Sequence, residues 1–148
     1  MKPNIRMATK KDAKAIASLN RRFFHEEGRH WAQLISGKTS ELFACESGKA
    51  IIGFSGLEFH AWNNSAQIID IFVHPEFRQQ GYGEQLVKFA IRRARRRKVR
   101  TLFAEAPSKN LVKKLYQKCG FRICGFNDRY YSNSGKEKAI FLSKDFKQ

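Results

Sequence analysis

Val73-His74-Pro75-Glu76-Phe77-Arg78-Gln79-Gln80-Gly81-Tyr82-Gly83 joins two stretches of different hydrophobic period, and the fold is read outward from it. Upstream, Gln67-Ile68-Ile69-Asp70-Ile71-Phe72-Val73 is a nearly continuous apolar run. Such a run predicts a central strand covered on both faces, and Pro75 ends it. Downstream, Val87, Ala90, Ile91 and Ala94 recur at helical spacing, which predicts a long amphipathic helix from Gly83 to Lys98. A strand that passes through a glycine-bearing loop into a helix start presents free backbone N–H groups to an anion. Glycine lets the chain approach a phosphate closely, and Arg78 adds charge. Other phosphate loops fit worse. The dinucleotide fingerprint needs a glycine where Leu86 stands, and the nucleotide P-loop needs a lysine where Glu84 stands. On these residues alone the loop is either an anion site or a turn that uses glycine for its geometry.

The flanking sequence supplies the remaining elements. Ile5 to Met7 is a short strand, and Thr9 to Asp12 reads as a helix N-cap followed by Ile16, Leu19 and Phe23 on one helical face. The segment 24–40 is ambiguous and contains His25-Glu26-Glu27-Gly28, with a short helix near Trp31 to Ile35. Leu42 to Glu46 and Ala50 to Phe59 read as strands joined by a turn at Ser47-Gly48-Lys49. Thr101 to Glu105 is a further strand and Ser108 to Cys119 a second amphipathic helix, ended by Gly120. Strands near Arg122 to Phe126 and Lys138 to Leu142 complete the order β-α-α-β-β-β-α-β-α-β-β.

With 148 residues, 42% of them apolar, the chain reads as one domain with a substantial core, and disorder is excluded. No run is long enough to span a bilayer, and Met1 to Arg6 has no apolar stretch behind its charge, so a cytoplasmic protein is expected. Cys45, Cys119 and Cys124 have no metal-ligand spacing and read as free thiols in a reducing compartment. The net charge is +16, and the segment 92–100 holds seven of the 29 basic residues. Without it the chain keeps +9, so the basicity is partly global. The segment suits a solvated helix face, attraction of a phosphate-bearing or acidic partner, or weak association with RNA.

Two motifs carry a family resemblance. Val73 to Gly83 resembles the acetyl-CoA-binding motif of the GNAT N-acetyltransferase superfamily, and Asn110 with Leu115-Tyr116-Gln117-Lys118-Cys119-Gly120-Phe121 resembles that family's second signature. The resemblance covers residues 4 to 144. Within the family, Glu105, Arg129-Tyr130-Tyr131 and Gly135 to Ile140 are most similar to N-terminal acetyltransferases, including the ribosomal-protein alanine type. The implied fold is α/β (α+β): one domain, with a central mixed, mostly antiparallel sheet flanked by helices. The implied co-substrate is acetyl-CoA, with no metal.

The resemblance implies roles residue by residue. The strand at Ile71, Phe72 and Val73 carries a bulge, splays from the next strand and pairs its main chain with the pantetheine arm. The N–H of Val73 would polarise the thioester carbonyl. The N–H groups of Gln79, Gln80, Gly81, Tyr82, Gly83 and Glu84 would hold the pyrophosphate, with the Glu84 carboxylate turned away. Glu105 matches the general base, with Glu58, His60 or a water relay as rivals, and Tyr116 matches the general acid. Asn110 matches a contact to the cofactor arm, but it precedes Tyr116 by six positions where the family usually has seven. Tyr130 and Tyr131 would hold a peptide acceptor or form part of an edge strand, and Glu26 and Glu27, in the variable segment that shapes the acceptor site, would attract a cationic amine or form a solvated charge pair. The expected acceptor is a peptide N-terminal amine or a small-molecule amine such as an aminoglycoside. An RNA-binding module with an inactive shell is the rival class. It would have no use for Glu105 or Tyr116.

Overall fold

In the computed structural model, residues 2–24 and 30–147 are described, so Glu26 and Glu27 lie outside the described residues. The strands are β1 (Asn4–Met7), β2 (Ser40–Ser47), β3 (Ala50–His60), β4 (Ser65–Val73), β5 (Thr101–Pro107), β6 (Arg122–Asn127) and β7 (Ala139–Asp145). The helices are α1 (Ala13–Phe24), α2 (Trp31–Ser36), α3 (Tyr82–Arg96) and α4 (Val112–Lys118). The order matches the one expected from sequence. The strands form one sheet, β1-β2-β3-β4-β5-β7-β6. Every pairing is antiparallel except β4 with β5.

The apolar run of β4 is covered on both faces, as its composition predicts. Ile68 and Ile71 pack with Val87, Ala90 and Ala94 of α3, while Ile69 and Phe72 pack with Ile16 of α1 and Trp31 of α2. Side chains on one strand face normally recur at every second residue. Here the same-face pairs are three apart, because Gly56 pairs with Asp70 but Leu57 with Ile68, which leaves Ile69 as the extra residue of a bulge.

The bulge bends β4 away from β5. Their parallel pairing extends only over Ser65–Gln67 and Thr101–Phe103. Beyond it one edge of β4 has no strand partner, and a wedge opens between the two strands toward the loop after Val73.

Two expected boundaries are corrected. α4 begins at Val112, not Ser108, because residues 108–111 form turns. The Ser108 N–H donates to the Lys138 carbonyl, and the Asn110 Oδ1 accepts from the Val112 N–H at 2.9 Å. β5 extends to Pro107, so Glu105 lies inside the strand opposite Phe141 rather than at its end.

Candidate active site

The loop at residues 74–81 makes a 3-10 turn at Pro75–Phe77 and then reverses. Gly81 stands before the first turn of α3 with φ +90°, a conformation costly for any residue with a Cβ, and nothing lies within 4 Å of where its Cβ would be. It offers no side chain to cap the helix. Among the described residues, no acceptor takes the N–H groups of residues 79–84. This concave, uncapped helix start suits a pyrophosphate. Gly83 has a second use: an added Cβ would come within 3.2 Å of Leu115, so it lets α3 lie close to α4.

The charges near this loop are already arranged. The Arg78 Nε donates to the Val73 carbonyl at 2.8 Å, closing the loop onto the end of β4. The Glu84 carboxylate is drawn off toward Lys88 and Lys118, at 3.3 Å each, and these bonds lower its pKa. Its charge is thus matched by two lysines of α3 and α4.

Val73 is the hinge between loop and wedge. The His74 N–H donates to Ile52 on β3 at 2.7 Å. Backbone direction alternates along a strand, so the N–H of Val73 faces the opposite, unpaired edge. Its carbonyl lies on that same edge, where Arg78 takes it.

Tyr116 reaches the wedge from α4. Its ring is 2% exposed and packs on Phe121 with ring centres 5.3 Å apart. Burial first, and then the charges of Glu105 and Asp70, push its phenol well above the usual range. The hydroxyl therefore stays protonated at any physiological pH. Glu105 projects from β5 on the face opposite the buried Leu102, Ala104 and Ala106. The Tyr131 hydroxyl donates to Glu105 Oε2, and burial followed by that bond keeps Tyr131 protonated as well. Tyr130 stands edge-on to Tyr131 at 5.1 Å.

The structure thus brings Glu105, Tyr116, Tyr131 and the end of β4 around one wedge. It does not bring the rival bases there. Glu58 and His60 are on β3, two strands from β5, and His60 stacks on Phe103. Asn110 is at the start of α4, where its carbonyl oxygen already serves Val112.

Sequence reasoning passed over Asp70, whose charge bears on Tyr116 alongside that of Glu105. A lone carboxylate inside an apolar strand was the available signal. It also read Tyr131 as a contact to peptide backbone and missed its bond to Glu105.

The basic segment 92–100 keeps all its basic residues but Arg93 exposed, yet several of them make contacts within the molecule. Arg93 and Arg97 hold the buried Glu41 at 2.8 and 3.1 Å. Arg92, Arg95 and Arg97 stand over the rings of Phe89, Phe146 and Phe59. The Arg100 Nε donates to the Asn63 carbonyl. These contacts give the segment structural work and offer no support for an RNA stripe.

Among the described residues no group of side chains could hold a metal ion, and no helix is long and apolar enough to cross a membrane. Burial raises the thiols of Cys45 and Cys119, which weakens them as nucleophiles.

The sequence profile of the Acetyltransferase (GNAT) family matches residues 11–121. The chain belongs to this family. As a GNAT protein it is an acyl-CoA N-acetyltransferase with acetyl-CoA as co-substrate, and its sheet and helices have the GNAT arrangement. It is 31% identical over 96 residues to streptothricin acetyltransferase of Streptomyces lavendulae. That match covers 63% of this chain and 51% of the relative, so the chain spans about half of that protein's length. It is 27% identical over 121 residues to a Bacillus subtilis (strain 168) protein provisionally named a ribosomal protein bS18-alanine N-acetyltransferase, covering 80% of this chain and 73% of that one. A Bacillus anthracis str. Ames protein, provisionally called a streptothricin acetyltransferase and solved with acetyl coenzyme A, superposes with a TM-score of 0.73. It is 29% identical, with 80% of this chain and 69% of that one covered. This GNAT chain is therefore similar both to an enzyme named for a small molecule and to one named for a protein terminus.

Proposed function

We propose that this GNAT chain transfers the acetyl group of acetyl-CoA directly to a primary amine, with the N-terminal amine of a peptide as its acceptor. The observation that carries the reading is the convergence of Glu105 and Tyr116 from opposite sides of the β4–β5 wedge, beside the uncapped start of α3. The diphosphate sits on the N–H groups of residues 79–84, and the pantetheine arm pairs with the free edge at Ile71–Val73. The Val73 N–H donates to the thioester oxygen as negative charge grows there, a contribution of the kind worth about 10²–10³ in rate.

Glu105 takes the ammonium proton, directly or through water, and leaves a neutral amine to attack the carbonyl carbon. The C–S bond then breaks as the Tyr116 hydroxyl gives its proton to the departing thiolate, and the second proton, shed by nitrogen as the amide forms, passes through water to restore the Tyr116 hydroxyl. No acyl-enzyme forms, which fits the raised thiols of Cys45 and Cys119. The likeness to the protein provisionally named for bS18-alanine supports the peptide acceptor, as does the tyrosine pair at residues 130 and 131. The likeness to streptothricin acetyltransferase favours a small-molecule amine as second reading.

The test is a panel of amines supplied with acetyl-CoA, with free thiol as readout. Peptide amines should be turned over and streptothricin or aminoglycoside amines should not. The reverse pattern would replace the first reading with the second.

A further inference from the structure

We propose that the open groove on the helix-free face of β5, β7 and β6 is the track along which the acceptor lies. Its occupant is an extended peptide, with its N-terminal amine at Glu105 and an acidic side chain near the fifth residue. This rests on the transferase reading above and adds the acceptor's shape and charge to it.

The groove encloses about 540 Å³. Phe103 of β5 and Phe141 of β7 line it, with Cys124 and Gly125 of β6 on one side and Asn63 of the β3–β4 turn on the other. Among the described residues, none of a helix lines it.

The groove ends at Phe141, beside the candidate centre. Phe141 lies directly opposite Glu105 across β5 and β7, so the two share a face. The Tyr130 ring meets the Phe141 ring edge-on at 6.0 Å, and its neighbour Tyr131 donates to Glu105. One end of the track therefore opens at the carboxylate that takes the amine proton.

Length and charge select the occupant. From Glu105 back to Thr101 is about 13 Å, at roughly 3.3 Å per strand residue. An extended peptide covers that distance in about four steps. At the far end stand Arg100, Arg122 and Asp145. Asp145 is bound to the Thr101 hydroxyl at 2.8 Å and lies 3.6 Å from Arg122, while Arg100 is anchored through its Nε to Asn63. Two guanidinium groups face one carboxylate, so the far end keeps a positive excess that an acidic side chain would match. A compact single-amine acceptor would reach only the Glu105 end.

The experiment compares a dipeptide with a hexapeptide of the same first two residues, bearing Glu or Lys at position five. Wild-type protein should show kcat/KM about tenfold higher for the Glu hexapeptide than for the dipeptide. Arg122→Glu, at an exposed position, should remove most of that gain, leave the dipeptide within about twofold and favour the Lys hexapeptide. Equal kcat/KM at both lengths, or equal loss on dipeptide and hexapeptide in Arg122→Glu, would overturn the track. Dipeptide turnover would then still stand for the transferase reading. Loss of thiol release with every amine would remove both.

Discussion

Tyr116→Phe deletes one hydroxyl from a ring whose packing on Phe121 stays intact, so it separates chemistry from stability. Its turnover should fall about 10²-fold while the melting temperature changes little, as read from thiol release and thermal unfolding. Full turnover at every pH would remove Tyr116 from the acid role. Glu105→Gln keeps the shape of the side chain and an acceptor for Tyr131 but cannot take a proton. Here kcat/KM should also fall about 10²-fold, and less than about threefold would point to a base elsewhere. Both residues were legible in the sequence because each stands at a motif position. Their meeting was not, because one comes from a strand and the other from a helix. Neither Asp70 nor the bond from Tyr131 to Glu105 could be seen by counting positions.

Between elements, ion pairs pin the helices to the sheet. Arg93 and Arg97 of the α3 end hold Glu41, which is 7% exposed on β2. Arg93→Ala leaves that carboxylate buried with a single partner, which should cost about 2–3 kcal/mol. The urea midpoint should drop at unchanged slope. Arg6 of β1 likewise binds Asp12, just before α1, at 2.8 Å and holds its carboxyl at about 2 against an ordinary value of 3.8. Because the folded value lies below the unfolded one, this contribution is complete above about pH 4 and is lost as pH falls toward 2. Asp12→Asn should cost about 2 kcal/mol at neutral pH and flatten the acid limb of stability over that window. The helix periodicity of residues 87–94 and the strand run at 67–73 were plain in the sequence. The start of α4 was not, since the turns at 108–111 depend on Lys138 across the fold.

For the whole molecule, acetyl-CoA should bind the folded state through the α3 start and the free edge of β4 together. At about one hundred times its dissociation constant the ligand would add about 2.7 kcal/mol. For a chain of this size that corresponds to a rise of roughly 5–10 °C in melting temperature. A scan with saturating acetyl-CoA and no rise would contradict this donor site. Coenzyme A lacking its diphosphate arm should give a smaller rise, because residues 79–84 would then be unused.

The sequence by itself determined the order of elements, the glycine loop and the family, because these follow from local period and from motifs a few residues long. Only the tertiary structure decided what surrounds that loop. Ile69 becomes a bulge because β4 must bury side chains on both faces while pairing with β3, and that bulge parts β4 from β5. The same packing set Arg93 and Arg97 against Glu41 and laid Arg92, Arg95 and Arg97 over three phenylalanine rings, and it left Phe103 and Phe141 facing an open groove. Charge and hydrophobicity along a chain state what a residue can do. Which partner it meets depends on contacts between residues far apart in the chain.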